Sequence, residues 1–238
     1  MSIERIHTDN SRYSDRIWEL DFLRGIALVF MIYFHIIYDL SEMFDYRINY
    51  SSGVNHLIGK MSAILFIFIS GVSSSISRNN LKRGFKVLFF AGAITLATWI
   101  YNPRFIIIFG ILHFLGVCMI LTQLFSRIKN YLLLFSGTLV IMAGVFVKRI
   151  HVPNDIYFIF GVVGEKFTSS DYYPMVPWLG IFLYGLAVGK MLYKHKKSVF
   201  RFRMKDNLIS RAGRKTLLFY ILHQPLIVGT IILFRQIF

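Results

Sequence analysis

The chain combines a strongly basic charge with a strongly apolar composition. Its 238 residues include 27 Lys and Arg against 12 Asp and Glu, a formal net charge of +15, yet 55% are hydrophobic and only 16% are charged. Soluble globular domains are about 45–50% apolar and about 25% charged, so an ordinary soluble nucleic-acid-binding protein is excluded. The 24 Phe, 13 Tyr and 3 Trp exclude intrinsic disorder, because disordered chains are poor in aromatic residues.

Seven stretches of the sequence are apolar and long enough to cross a membrane as helices. About 20 apolar residues span a hydrocarbon core of about 30 Å, which predicts spans at residues 20–40, 57–76, 85–101, 105–125, 131–147, 175–193 and 216–234. The apolar stretch at 155–164 is too short to span, so we interpret it as an interfacial or re-entrant segment. No linker or internal repeat divides the sequence. It therefore predicts one all-α membrane domain over residues 1–238, a bundle of about seven transmembrane helices.

The basic residues fall mainly on one side of this predicted bundle. Counted loop by loop, 20 Lys and Arg lie on the side of the N-terminus and 7 on the other side. Because cytoplasmic loops carry the excess of Lys and Arg, we expect a cytoplasmic N-terminus and an external C-terminus. Ten of these cations lie at 190–215, which we interpret as a positive-inside loop that also meets anionic lipid, rather than as a nucleic-acid site.

The first predicted span carries a row of ionisable residues on one face. At about 100° per residue, four of them fall within about 60° of one another, namely Asp21, Arg24, His35 and Asp39. Ionisable side chains at membrane depth usually face a bundle interior or a cavity and mark a functional site. His35 and Asp39 are four residues apart, so the carboxylate can orient the imidazole and support it as a general base. A purely structural pair, with Asp21 and Arg24 as interfacial caps, is the alternative.

Two further histidines lie inside predicted spans, each close to Gly or Pro. His113 lies in the sequence FGILHFLG, and His223 follows Tyr220 by three residues on a shared helix face, just before Pro225. Catalysis and interhelical hydrogen bonding are both open for these residues. Asp171, in the outer-loop sequence DYYPMVPW, is interpreted as part of an interface turn that could reach the mouth of a cavity.

Motifs of soluble enzymes are absent from the sequence. It contains no G-x-S-x-G, no Gly-rich phosphate loop and no H-E-x-x-H. The histidines are scattered among helices without Cys or Glu partners at ligand spacing, so we expect no metal site.

Several motifs follow one another in the order found in a known family. RIWELDFLRGIAL at 16–28 continues into MIYFHIIYDL at 31–40, followed by LFIFISG at 65–71, the segments 109–116 and 171–189, and GRKTLLFYILHQP at 213–225. Together they resemble the catalytic family of heparan-alpha-glucosaminide N-acetyltransferase over nearly the whole chain. Arg24 and His35 are separated by ten residues, which is similar to the Arg-x10-His motif of the related acyltransferase family 3.

The resemblance implies a membrane-embedded acyltransferase of a prokaryotic cytoplasmic membrane. In such an enzyme, cytoplasmic acetyl-CoA or another acyl-CoA meets an acceptor at the membrane or on its far side. Membrane lipid, acyl-CoA and a carbohydrate or glycolipid acceptor are the implied partners, nucleic acid is not, and a homodimer is left open. The resemblance implies Arg24 at the coenzyme A phosphates, and we assign Asp21 and Tyr220 to the donor site beside it.

The resemblance also implies that His35 serves the chemistry. Supported by Asp39, it would deprotonate an acceptor hydroxyl or amine that attacks the thioester, and His113, His223 or Tyr220 would meet the developing oxyanion. In the lysosomal enzyme, however, Asn stands at the position that corresponds to His35, and the essential His lies in the outer loop after the first span. His56 is the candidate there in this chain.

Two rival functions remain open from the sequence. A transporter could use a polar pathway lined by Arg24, His35 and Asp39, although transporters often contain inverted repeats and paired broken helices, and the sequence shows neither. A lipid-modifying transferase with a donor other than a thioester is the second rival.

Overall fold

The structure is a computed structural model that describes residues 17–147, 149–150, 152–202 and 204–237. In these ranges its regular secondary structure is all helical, without a strand, which confirms the predicted all-α membrane fold. Five of the basic residues counted in the sequence lie outside the described residues, namely Arg5, Arg12, Arg16, Lys148 and Arg203.

The described ranges contain eight α-helices in chain order. They are α1 Trp18–Glu42, α2 Gly53–Ile76, α3 Asn80–Tyr101, α4 Ile111–Phe125, α5 Asn130–Val147, α6 Met175–Leu192, α7 Leu208–Arg214 and α8 Thr216–Ile237. Six of them are long and apolar enough to cross a membrane, namely α1, α2, α3, α5, α6 and α8, and α4 is a shorter apolar helix. The segment 155–164 contains only the short 3₁₀ helix Phe158–Phe160.

Helix α4 begins six residues later than the span predicted to start at residue 105. Pro103–Phe105 forms a 3₁₀ helix, and the residues after it bind the loop that precedes α6. The Ser170 N–H donates to the Ile106 carbonyl at 3.0 Å, and the Tyr173 N–H donates to the Phe109 carbonyl at 2.9 Å. Six residues correspond to about 9 Å of helix, so α4 is shorter than the predicted span by about that length at its N-terminus.

Helix α7 lies within the basic segment, where no helix was predicted. Asn207 caps it, because its side-chain oxygen accepts a hydrogen bond from the Ser210 N–H at 2.9 Å. The helix packs across the start of α1. A Cβ atom at Gly213 would collide with the backbone of α1, and one at Gly25 would collide with the backbone at Ile209. These two glycines therefore allow the backbones of α1 and α7 to touch.

The largest hydrophobic core joins α1, α2, α4 and α6. Its most deeply buried side chains include Ala27 and Leu28 of α1, Ile67 of α2, Phe114 of α4 and Phe182 of α6. Helices α3, α5 and α8 instead expose many large apolar side chains, as expected of helices that face lipid. Helix α8 contacts α1 more than it contacts α3 or α7.

Candidate active site

Two histidines from opposite ends of the sequence, His35 of α1 and His223 of α8, are in direct contact. Their ring centroids are 4.7 Å apart, and the ring planes are at 85°. The Nδ1 of His35 lies 2.9 Å from the carbonyl oxygen of Met31, and the Nδ1 of His223 lies 2.6 Å from that of Tyr220. Because a carbonyl oxygen only accepts hydrogen bonds, Nδ1 carries the proton in both rings. In the neutral form, each ring therefore has an unprotonated Nε2 that can act as a base.

The two histidines differ in their access to a bound molecule. His35 is half-buried, whereas His223 is 7% exposed and its Nε2 is buried without a hydrogen-bond partner. His35 is therefore the more accessible of the two rings, and His223 packs against it from the buried side.

Asp39 lies one turn beyond His35 and joins α1 to α8. It is 0% exposed, and its Oδ1 accepts a hydrogen bond from the Gln224 Nε2 at 2.7 Å. The sequence suggested that Asp39 would orient the His35 ring, but the Met31 carbonyl holds the Nδ1 of that ring. Asp39 interacts with His35 electrostatically, and its hydrogen bond to Gln224 joins α8 to α1.

Three buried polar atoms at this contact between α1 and α8 lack a partner among the described residues. They are the Asp39 Oδ2, the Gln224 Oε1 and the His223 Nε2. Buried polar atoms are nearly always hydrogen-bonded, and leaving one unpaired costs about 1–3 kcal/mol. All three accept hydrogen bonds when His223 is neutral. The contact is therefore short of hydrogen-bond donors.

Replacing Asp39 should separate its hydrogen bond from its charge. Asp39→Ala is expected to destabilise the protein by about 1–3 kcal/mol, because the buried Gln224 amide loses its acceptor. Asp39→Asn keeps an acceptor oxygen and should retain most of the stability. Thermal unfolding of both variants in detergent measures the difference. Equal destabilisation by both changes would show that the charge, and not the hydrogen bond, holds α8 to α1.

Asp171 connects the loop before α6 to both α4 and α8. Its Oδ2 accepts hydrogen bonds from the Ile111 N–H at 2.9 Å and from the Tyr220 hydroxyl at 3.4 Å. Burial raises the pKa of the Asp171 carboxyl, whereas the Ile111 N–H and a positive charge on His35 lower it. The carboxylate therefore binds the N-terminus of α4, where negative charge is favourable, and lies within electrostatic reach of His35.

The sequence placed Asp171 only in an interface turn and did not predict these contacts. A carboxylate before a helix usually caps its own helix, but Asp171 and Ile111 are 60 residues apart. No local pattern could have revealed that pairing.

His113 lies in the first turn of α4, next to Asp171 and not in the histidine contact. Its Nε2 is 3.3 Å from the Thr95 hydroxyl, which itself donates to the Ile107 carbonyl at 2.5 Å. Because the hydroxyl proton is already donated, the Nε2 of His113 is the donor. A cavity of about 10 Å³ is lined in part by His113, Asp171 and Tyr220, which is about the volume that one water molecule needs.

Arg24 and Asp21 lie near the opposite end of α1. The Arg24 Nη1 is 2.7 Å from the Asp21 Oδ1, and its Nη2 donates to the Ser73 hydroxyl of α2. His35 is about 16 Å further along the helix. Leu28 lies on this face between the two groups and is 2% exposed. The predicted polar row is therefore divided into two separate sites.

His56 lies in the first turn of α2 and is half-buried. Its neighbour Asn55 accepts a hydrogen bond from the Tyr33 hydroxyl of α1 at 2.8 Å. His56 is therefore in a helix rather than in the loop after α1, where the resemblance implied the essential histidine, and it lies toward the half of α1 that carries Tyr33.

The family model described as "Heparan-alpha-glucosaminide N-acetyltransferase, catalytic" matches residues 16–225. The chain belongs to this family. The match begins just before α1 and ends within α8, so it includes both histidines of the contact, the loop with Asp171 and the pair of Asp21 and Arg24. No curated protein and no solved structure matches the chain.

Membership of the heparan-alpha-glucosaminide N-acetyltransferase catalytic family makes the protein a multi-pass membrane protein of an acetyltransferase family. The family uses acetyl-CoA as donor in general. Among the described residues, no group of three or more His, Cys, Asp or Glu is arranged to hold a metal ion.

Proposed function

We propose that the protein moves an acetyl group from cytoplasmic acetyl-CoA to a hydroxyl or amine of an envelope sugar or glycolipid, at or across the membrane. The observation that carries the proposal is the contact between His35 and His223 at 4.7 Å. This contact supports the proposal because the half-buried His35 ring lies beside buried acceptor atoms without partners, in a member of an acetyltransferase family.

His35 serves as the general base. Its Nε2 takes the proton of the acceptor hydroxyl or amine, whose oxygen or nitrogen attacks the thioester carbonyl. The carbon–sulfur bond then breaks, and the thiolate of coenzyme A leaves and takes up the proton. General-base assistance of this kind accelerates a reaction about 10²–10⁴-fold, and the carboxylates of Asp39 and Asp171 stabilise the imidazolium that forms.

A hydrogen-bond donor must meet the oxyanion that develops on the thioester carbonyl. Neutral His223 has no proton on Nε2, and the Nε2 proton of His113 is directed to Thr95. Of the three candidates from the sequence, Tyr220 fits this role best. Its hydroxyl proton is held by Asp171 at 3.4 Å, a long hydrogen bond that a stronger acceptor can replace.

Arg24 is proposed to bind a phosphate of the donor. Its guanidinium is held by Asp21 and Ser73 at the end of α1 that lies next to the basic segment. The excess of Lys and Arg on that side supports a cytoplasmic location for it. The thioester would then have to lie about 16 Å deeper, at His35.

Arg24→Ala is expected to raise the KM for acetyl-CoA about 10–100-fold with a smaller change in kcat. A hydrogen bond to a charged group contributes about 1.5–3 kcal/mol, and each 1.4 kcal/mol is about tenfold in affinity. Arg24→Lys keeps the charge but loses the planar pair of hydrogen-bond donors, so its KM should lie between those of the wild type and of Arg24→Ala. An unchanged KM in a folded Arg24→Ala protein would remove Arg24 from the donor site.

Labelled acetyl transfer in membrane vesicles tests the proposed function. Inverted vesicles expose the cytoplasmic face, and acetyl-CoA is supplied with glucosamine as an amine acceptor or methyl glucoside as a hydroxyl acceptor. We expect label to pass to an added or endogenous acceptor in inverted vesicles that contain the protein, and not in vesicles without it. Transfer only in right-side-out vesicles would reverse the proposed orientation, and the absence of both transfer and coenzyme A release would contradict the proposed activity.

The division of the polar row on α1 disfavours the transporter. A pathway lined by Arg24, His35 and Asp39 would need a continuous polar face, but Leu28 is buried in the core on that face. Two separate polar sites suit an acyl-CoA donor whose phosphate binds at Arg24 and whose thioester reacts at His35.

A further inference from the structure

The Asp171 carboxylate packs directly against Gly110, where a residue with a side chain would leave no room for it. A Cβ atom at Gly110 would collide with the Asp171 Oδ2. The main-chain carbonyl of Asp171 accepts a hydrogen bond from the Ser169 hydroxyl at 2.8 Å, and that hydroxyl accepts one from the Ile108 N–H at 3.1 Å. Both the side chain and the backbone of Asp171 are thus fixed against the segment that leads into α4.

We propose that Asp171 is a positioning residue that holds Tyr220 and the N-terminus of α4 against the histidine contact and supplies a negative charge opposite the His35 imidazolium. The inference rests on the proposed function, because it assigns a role in that reaction.

Asp171 is linked to His35 through a row of three aromatic rings, each in contact with the next. Asp171 holds the Tyr220 hydroxyl, the ring centroids of Tyr220 and His223 are 5.3 Å apart, and those of His223 and His35 are 4.7 Å apart. The Tyr220 carbonyl also fixes the Nδ1 of His223. Moving the Tyr220 side chain would therefore displace the ring on which His35 rests.

The charge effect depends on which groups face His35. Those that interact with it electrostatically are Asp39 on its own helix, Asp171 in the loop before α6 and His223 on α8. Tyr38 of α1 and Tyr220 of α8 interact with Asp171. Asp39 and Asp171 are the two carboxylates among these groups, and the Oδ1 of Asp39 is bound to Gln224. Both carboxylates interact favourably with a positive charge on His35, so removing either should weaken the stabilisation of the imidazolium that forms in the reaction.

The test compares Asp171→Asn with the wild type in the full-length protein, by the pH dependence of labelled acetyl transfer. Asn keeps an oxygen that can accept from the Ile111 N–H, so the fold should survive. We expect kcat to fall about 10–100-fold with an unchanged KM for acetyl-CoA. We also expect the acid limb of the profile to move to lower pH, because the variant lacks a carboxylate that interacts favourably with the His35 imidazolium.

Tyr220→Phe distinguishes the effect of the hydrogen bond between Tyr220 and Asp171 from the effect of the Asp171 charge. This variant removes the hydroxyl and leaves Asp171 ionised, so kcat should fall while the acid limb stays at its wild-type position. An Asp171→Asn profile with the wild-type acid limb, or a loss of kcat that only follows a loss of thermal stability, would overturn the role of Asp171. An inactive wild type would instead refute the proposed function itself, and the role of Asp171 with it.

Discussion

Replacing His35 with alanine is expected to reduce acetyl transfer about 10²–10⁴-fold while coenzyme A binding survives. The loss corresponds to removing a general base. Donor binding should persist because Arg24, the proposed phosphate ligand, lies about 16 Å away along α1. The measurements are labelled acetyl transfer at saturating acetyl-CoA and the stabilisation of the folded protein by free coenzyme A.

His56→Ala is the matched control for this change. His56 is also half-buried and is the base that the lysosomal relative would suggest, but it lies in the first turn of α2. We expect the control to retain transfer. Full activity in His35→Ala together with a large loss in His56→Ala would move the base to α2 and contradict the role proposed for His35.

Replacing Gly185 with alanine is expected to destabilise the protein by more than about 4 kcal/mol or to prevent its recovery in folded form. A Cβ atom there would collide with the Phe68 carbonyl of α2, and Gly71 lies opposite with its own Cβ position against the backbone of α6. Helices α2 and α6 form one of the most extensive contacts of the bundle. Because both colliding groups are backbone, no side chain can rotate away, and the helices must separate.

Gly92→Ala is the control for this substitution. Gly92 lies within α3, and a Cβ atom there meets nothing within 4 Å. Alanine is favoured over glycine in a helix by about 0.5–1 kcal/mol, so this variant should be as stable as the wild type or more so. The recovery of monodisperse protein and its midpoint of thermal unfolding compare the two. Equal stability of both variants would show that the backbones of α2 and α6 are not in contact at Gly185.

The sequence predicted the parts of the site that follow from local periodicity. A period of 3.6 residues places Arg24, His35 and Asp39 on one face of α1, and it places Tyr220 and His223 on one face of α8. Apolar length predicted the helices themselves, and six of them meet the criterion for a span. These features depend on residues within a few turns of one another, so one sequence is enough to find them.

Features that depend on tertiary contact could not be predicted in the same way. The hydrogen bond from Gln224 to Asp39 and the capping of α4 by Asp171 join residues far apart in the chain. The late start of α4 also arises from such contacts, since residues 106–110 are bound by the loop before α6 and do not continue the helix. Apolar composition alone extended that span to residue 105, because hydropathy does not report backbone hydrogen bonds.

The most direct test of the central claim, that this bundle is an acyl-CoA-dependent acetyltransferase, is the thermal unfolding of the purified protein with coenzyme A, acetyl-CoA and GTP. A ligand that binds only the folded state stabilises it in proportion to the logarithm of its concentration. We expect coenzyme A and acetyl-CoA to raise the unfolding midpoint progressively, GTP to leave it unchanged, and Arg24→Ala to weaken the effect. No stabilisation by either coenzyme A species at millimolar concentration would contradict the claim.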